Sequence, residues 1–320
     1  MGHMKKILLK LSISLVLSIV LTVGIAAVIL NVYERVSCKE FFSIKKNLCV
    51  NPGLFDNCVP QGITYNYDED CFVTSCYMSN DTESRIYKVK KGKKICYKLK
   101  INGQPFKGHV GGIQYKGNNY YLADGDNGVY IIDSSALNDS KRKQTINLPK
   151  PVKLFCKVSY CFADDSFLYV GEFSRTPYYV CKHDYSYNGI NHSALVAKYK
   201  LNDLSSPVEF YSVPDNIQGF AIDEQGNIFL SSSWGLSHSK YSVYHPSSVI
   251  KMEDRYVGKP IYFLDEPDRI VQGPFFSEDL DFYKGYLINL TESASNKYVI
   301  GKFLFDYHIF GLDKNNLLIQ

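Results

Sequence analysis

Three glutamates, Glu172, Glu278 and Glu292, offer the strongest chemistry in the chain. Carboxylates that converge on one point can hold a hard cation such as calcium through oxygen ligands. A metal held there polarises a carbonyl and lowers the pKa of bound water, which is the chemistry of a calcium-dependent hydrolase or lactonase. Gln61, Ser75, Gln218, Ser232 and Trp234 offer something different. Their amides and hydroxyls suit hydrogen bonding, and the one indole presents a face on which a sugar ring can stack. His109 is the candidate general base, because imidazole titrates near neutral pH. No Gly-x-Ser-x-Gly elbow and no phosphate-binding Gly-Lys-Ser/Thr loop occurs, so those two chemistries have no footing here.

These residues sit at repeating places. Pro60-Gln61-Gly62-Ile63 is echoed by Val110-Gly111-Gly112-Ile113, Ile217-Gln218-Gly219-Phe220 and Ser277-Glu278-Asp279-Leu280, with a weaker copy at Val158–Ala163. Each copy runs into a turn rich in Asp, Asn or Gly and then a second apolar strand. Starting points at 61, 111, 158, 218 and 278 lie 50, 47, 60 and 60 residues apart. Fourteen residues beyond each start stand Ser75, Gly125, Glu172, Ser232 and Glu292. Five hairpins of matching length at that period predict radial repetition of four-stranded blades.

The fold class expected is therefore all-β, a β-propeller of five blades with six as the alternative. Third and fourth strands are expected at Ser84–Val89 and Ile95–Ile101, Gly128–Asp133 and Lys143–Leu148, Ala194–Leu201 and Val208–Val213, Ser248–Met252 and Lys259–Leu264, and Tyr298–Phe305 and Tyr307–Leu312. Phe41–Val50 supplies a strand that could close the ring. First strands line the channel of a propeller, so Gln61, Gln218 and Glu278 should face one another across it. A Gly after each Gln would let backbones crowd near the axis. Lys297 is the expected basic partner of Glu278 and Glu292.

The units resemble the propellers of the gluconolactonase and strictosidine-synthase-like superfamily, where a Glu-Gly-hydrophobic start to an inner strand is common. The chain is also similar to exported bacterial propellers of uncharacterised function. The residues that carry this are Gln61-Gly62-Ile63, His109-Val110-Gly111-Gly112-Ile113, and Glu278-Asp279-Leu280 followed by Glu292-Ser293-Ala294-Ser295-Asn296-Lys297-Tyr298. The resemblance spans roughly residues 59 to 312 and implies calcium held in the central channel of the lactonases. This chain has Gln61 where the first-blade Glu of those enzymes is expected, which removes one charge from such a site.

An uncharged stretch from Leu11 to Tyr33 follows Lys5, Lys6 and Lys10. It is long enough to span a bilayer, with the basic end inside. The chain is therefore expected to be a single-pass membrane protein with an extracytoplasmic C-terminal domain, or a secreted one if the segment is cleaved. Met1-Gly2-His3-Met4 reads as a vector-derived remnant. The expected organisation is 1–10 remnant and basic end, 11–33 anchor, 34–58 linker and ring-closing segment, and 59–320 propeller. Nine cysteines follow the anchor, and Cys49–Cys58 or Cys156–Cys161 could close short disulfide loops.

A net charge of +4 with no basic patch among the aromatics excludes nucleic acid as a partner. The run Lys88–Lys94 reads as a solvated hairpin tip. The expected partners are the membrane, through the N-terminal helix, and an extracellular ligand, sugar or protein. The leading function is a membrane-anchored binding module; the alternative is the calcium-dependent hydrolase.

Overall fold

A computed structural model describes residues 2–140, 143–252 and 258–319. One long apolar helix, α1 (Gly2–Ser37), precedes five blades of mainly antiparallel strands and a separate two-stranded hairpin, Tyr185–Tyr187 with Ile190–His192. Their innermost strands neighbour one another in the order Cys58–Asn66, Gly112–Lys116, Tyr160–Ala163, Ile217–Ile222, Ser277–Tyr283 and back to the first. The chain is a five-bladed β-propeller.

Blade 1 holds Cys58–Asn66, Cys71–Met78, Arg85–Lys90 and Lys93–Ile101. Blade 2 has three strands, Gly112–Lys116, Asn119–Asp124 and Gly128–Asp133. Blade 3 holds Tyr160–Ala163, Phe167–Gly171, Ala194–Lys200 and Glu209–Val213. Blade 4 holds Ile217–Ile222, Ile228–Ser232, Ser239–Tyr244 and Arg269–Gly273. Blade 5 holds Ser277–Tyr283, Tyr286–Thr291 and His308–Asp313, and its outer strand is Lys45–Val50 from the start of the domain. The ring is thus closed by hydrogen bonds between the two ends of the chain. Phe41 is not part of that strand but of a short helix, Lys39–Ile44, and is buried against Tyr241 and Phe310.

Several expected outer strands lie elsewhere. Lys143–Asn147 leaves blade 2 and pairs in parallel with Lys93–Ile101, the outer strand of blade 1. Val249–Met252 and Ile261–Leu264 likewise leave blade 4 and extend the outer edge of blade 3, where Ile261–Leu264 pairs in parallel with Glu209–Val213. In both places the chain covers an exposed edge of the preceding blade, which would otherwise present unpaired backbone groups. The true third strand of blade 4, Ser239–Tyr244, buries Ser239, Tyr241 and Val243 in alternation; its serines and lysine disguised a core-facing strand. The segment expected as a strand at Tyr298–Phe305 instead contains a single helical turn, Ile300–Phe303.

The hairpins are also unequal. Thr74 pairs with Ile63, Leu230 with Phe220 and Asn289 with Leu280, which are intervals of 11, 10 and 9 residues. Lys88 is fully buried rather than solvated, ion-paired to Asp139 at 2.7 Å and to Glu69, and only 91–94 form the exposed tip.

Glycines let the inner strands meet. A Cβ on Gly62 would lie 2.5 Å from the Ile113 nitrogen, and one on Gly112 would lie 2.6 Å from the Cys161 nitrogen. Both obstacles are backbone and cannot swing away. Gly112→Ala should therefore destabilise the protein by about 2 kcal/mol or more. Urea denaturation measures this, and an unchanged midpoint would show that neighbouring blades can be spread at no cost.

Candidate functional site

The five innermost strands present their free edges to the propeller axis, and side chains satisfy much of that backbone. Asp279 Oδ2 accepts hydrogen bonds from the Ile63 and Ile113 nitrogens at 3.4 and 3.2 Å, clamping blades 5, 1 and 2 together. Asp281 accepts from the Tyr65 nitrogen and the Thr64 hydroxyl, and Thr64 Oγ1 accepts from the Tyr115 nitrogen. Gln114 donates to the carbonyls of Ile63 and Leu280. None of these four residues was singled out from the sequence. The signal was present in Glu278-Asp279-Leu280-Asp281, where three acids surround one apolar position.

At one end of this plug the polar groups have other partners. Gln61 donates to Glu292 Oε1 at 2.7 Å, and Gln218 donates to Glu278 Oε1 at 3.5 Å. Both glutamates are buried, and Glu278 feels the charge of Glu292. Burial first and the Glu292 charge second push the Glu278 carboxyl well above the usual range. Burial raises Glu292 to about 7, against the opposing effects of Gln61, Lys297, Tyr77 and Tyr298. Gln61, Gln218, Glu278 and Glu292 therefore form one largely buried polar cluster, contributed by blades 1, 4 and 5.

Aromatic groups flank this cluster. Tyr77 lies 3.4 Å from Glu292 Oε1 through its hydroxyl, and its ring stacks on His109 with centroids 4.8 Å apart. Lys297 donates to the Tyr77 hydroxyl at 2.6 Å and sits over the same ring. The expected basic partner is thus at the site, coupled to Glu292 through a tyrosine. Tyr77 itself follows directly from Ser75-Cys76 but carries no signal as an isolated Tyr in a strand.

The remaining candidates have distinct places. Ser75 is buried, accepts from the Gly62 nitrogen and donates to the Val110 carbonyl, so it links blades 1 and 2. Ser231, not Ser232, does the equivalent work in blade 4, donating to the Glu278 carbonyl at 2.6 Å. The shorter hairpin shifts the matching position by one residue, and Ser232 is half-buried, opposite Ile217. Trp234 stacks with Phe173 and Tyr178 and lies under the Arg175 guanidinium at 4.1 Å. His109 is exposed at the rim rather than held against a nucleophile.

Glu172 does not join the other two glutamates. Its oxygens accept from the Lys157 and Leu195 nitrogens at 3.3 and 3.2 Å, and His183 Nε2 lies 3.1 Å away. Among the described residues, one set of three His, Cys, Asp or Glu side chains has its ligand atoms within 4.8 Å of one another, and it comprises Glu34, Cys38 and His238. Glu172, Glu278 and Glu292 therefore do not fit a shared calcium site, and no reaction step is assigned to one. The nine cysteines are all free thiols. Cys156 and Cys161 face different carbonyls, of Val170 and Tyr121, which explains why that short loop is not bridged.

No protein-family model and no curated protein matches the chain. Solved structures similar to it include the PQQ-bound aldose sugar dehydrogenase from Streptomyces coelicolor, with 13% identity, 77% of this chain and 76% of that one covered, and a TM-score of 0.43. A putative oxidoreductase (glucose dehydrogenase) from Thermus thermophilus has 14% identity, covers 77% and 79%, and scores 0.45. BamB from Moraxella catarrhalis has 6% identity, covers 80% and 85%, and scores 0.34. Likeness at this level concerns the fold alone.

Proposed function

We propose that this protein is a membrane-anchored, extracytoplasmic binding module that recognises a hydroxyl-rich ligand, a sugar, at the channel mouth formed by Gln61, Gln218, Glu278 and Glu292. One observation carries the reading. Two buried glutamates with raised proton affinity stand beside two amides and a Tyr77–His109 aromatic face. Protonated carboxyls and amides both donate and accept, which is the pattern that sugar hydroxyls require. Flat rings supply the apolar contact for a pyranose face.

The test is calorimetric titration of the full chain in detergent with a panel of neutral and N-acetylated oligosaccharides. Saturable binding by at least one of them is expected, weakened about tenfold or more by Tyr77→Ala, which removes a stacking face. If every saccharide fails to bind, or if Tyr77→Ala leaves the affinity unchanged, the assignment is wrong.

The contacts of the N-terminal helix bear on which end of the propeller faces the membrane. Met4–Ser37 has a mean hydropathy of 2.8 over its most apolar window, none of which is buried against the protein. α1 packs on the Ile300–Phe303 turn, Asn31 donates to the Phe303 carbonyl, and Glu34 lies 3.4 Å from His238. Both contacts belong to loops that follow second strands, the same end of the propeller as Glu292 and Trp234. We place this face towards the bilayer, where Tyr178, Tyr179, Trp234 and Leu236, all exposed, form an interfacial belt. Trp234 is the single tryptophan. Its fluorescence in vesicles of phosphatidylcholine with brominated acyl chains should fall relative to unbrominated vesicles. Equal emission in the two would place the face away from lipid.

A further inference from the structure

We propose that Glu34, Cys38 and His238 form a zinc site that fastens the end of the N-terminal helix to blade 4. Glu34 and Cys38 are one helical turn apart at the junction of α1 with the short helix that follows, so their side chains lie on the same side. His238 comes from the loop between the second and third strands of blade 4. Cys38 Sγ lies 3.9 Å from Glu34 Oε2, and His238 Nε2 lies 3.4 Å from that same oxygen. All three ligand atoms fall within 4.8 Å of one another. Zinc binds sulfur at about 2.3 Å and nitrogen or oxygen at about 2.0 Å, so neighbouring ligands of a tetrahedron stand about 3.3–3.8 Å apart. The present spacing reaches that geometry by small side-chain rotations.

The donor set is selective. One thiolate, one imidazole and one carboxylate match zinc better than calcium or magnesium, which take oxygen ligands. Glu34 and Cys38 are buried to 3% and 1% exposure, so this carboxylate faces protein rather than water. A buried carboxylate whose partners are a thiol and a partly exposed histidine is an expensive arrangement unless a cation completes it. Tyr33 stacks on His238 and holds the ring in place. A cavity of 210 Å³, lined by Asn31, Glu34, Arg35, Lys45 and Asp306 among others, opens beside Glu34 and supplies a path for the ion and for a water as fourth ligand. Binding takes the thiol proton of Cys38 to solvent while zinc gains a sulfur bond; no oxidant or reductant is needed.

The experiment uses the full chain in detergent, stripped with a chelator and titrated with cobalt(II) and then zinc(II). One cobalt per chain is expected, with a near-ultraviolet thiolate-to-cobalt band and intense tetrahedral visible bands that zinc abolishes. Cys38→Ser should remove the thiolate band although eight other cysteines remain. His238→Ala should weaken binding by at least the roughly 10–100-fold that loss of even an outer partner costs a metal site. Absence of saturable binding to the wild-type chain overturns the proposal. So does a thiolate band that survives Cys38→Ser, because the metal would then sit on another cysteine. The wild-type spectrum decides the first point whether or not a variant folds.

Discussion

Replacing Asp279 by alanine is expected to destabilise the propeller by about 2–5 kcal/mol. The carboxylate accepts from the Ile63 and Ile113 nitrogens and is itself fully buried. Its removal leaves two backbone donors from different blades with no acceptor, in a place where inner strands are too close for ordinary repacking. Burial, outweighing the backbone donors that oppose it, holds the Asp279 carboxyl well above the usual range. A neutral side chain is therefore tolerated here provided that it keeps an acceptor oxygen. Asp279→Asn should accordingly cost much less than Asp279→Ala. Urea midpoints of the three proteins measure the difference, and an alanine variant within about 0.5 kcal/mol of wild type would remove Asp279 from its role as the central clamp.

The second large effect concerns the mouth, and its sign is opposite. Glu278→Gln should stabilise the protein by about 1–3 kcal/mol at pH 8 while weakening saccharide binding. Burial raises the proton affinity of both carboxyls, and the Glu292 charge adds to it at Glu278, so the folded state binds more protons than the unfolded one between about pH 4.5 and 7. Stability therefore falls as pH rises through that window. Glu292 alone, raised from 4.5 to about 7, accounts for about 3 kcal/mol of the loss. An amide at 278 removes one charge from the pair, so the gain should be present at pH 8 and vanish below pH 4.5. Thermal melts of the two proteins at both pH values test this. A destabilising Glu278→Gln at pH 8 would mean that the carboxylate is paired favourably and the site is structural. Stability sacrificed at a binding site is the usual cost of holding polar groups ready for a ligand.

Much of this was legible from repeated short strings. Gln61, Gln218 and Glu278 share a place in three copies of one motif, and in the fold Gln61 bonds to Glu292 while Gln218 bonds to Glu278. Glu172 matched only by counting: its blade is the weakest copy, and its carboxylate faces Lys157, Leu195 and His183. Counting failed again at Ser232, because hairpins of 11, 10 and 9 residues cannot share one offset. Turn length is set locally by residues such as Asp223 and Asn227, which hydrogen-bond across the turn, and periodicity does not report it.

Outer strands were harder to locate than inner ones for a physical reason. An inner strand is buried on both faces, as Cys58–Asn66 is throughout, and shows as an uninterrupted run. Outer strands are half-exposed, and which blade they join depends on contacts distant in sequence. Lys143–Asn147 reads correctly as a strand yet pairs with blade 1. The junction of Glu34, Cys38 and His238 was invisible for the same reason, since 200 residues separate Cys38 from His238.

The most direct test of the mouth as a ligand site is a carbon-13 NMR titration of glutamate carboxyls in the full chain, alone and with a bound saccharide. A Glu292 resonance, assigned by its loss in Glu292→Gln, is expected to titrate near 7 and to shift when the sugar is added. A Glu292 resonance with the ordinary midpoint of 4.5, or one indifferent to every saccharide, would contradict it.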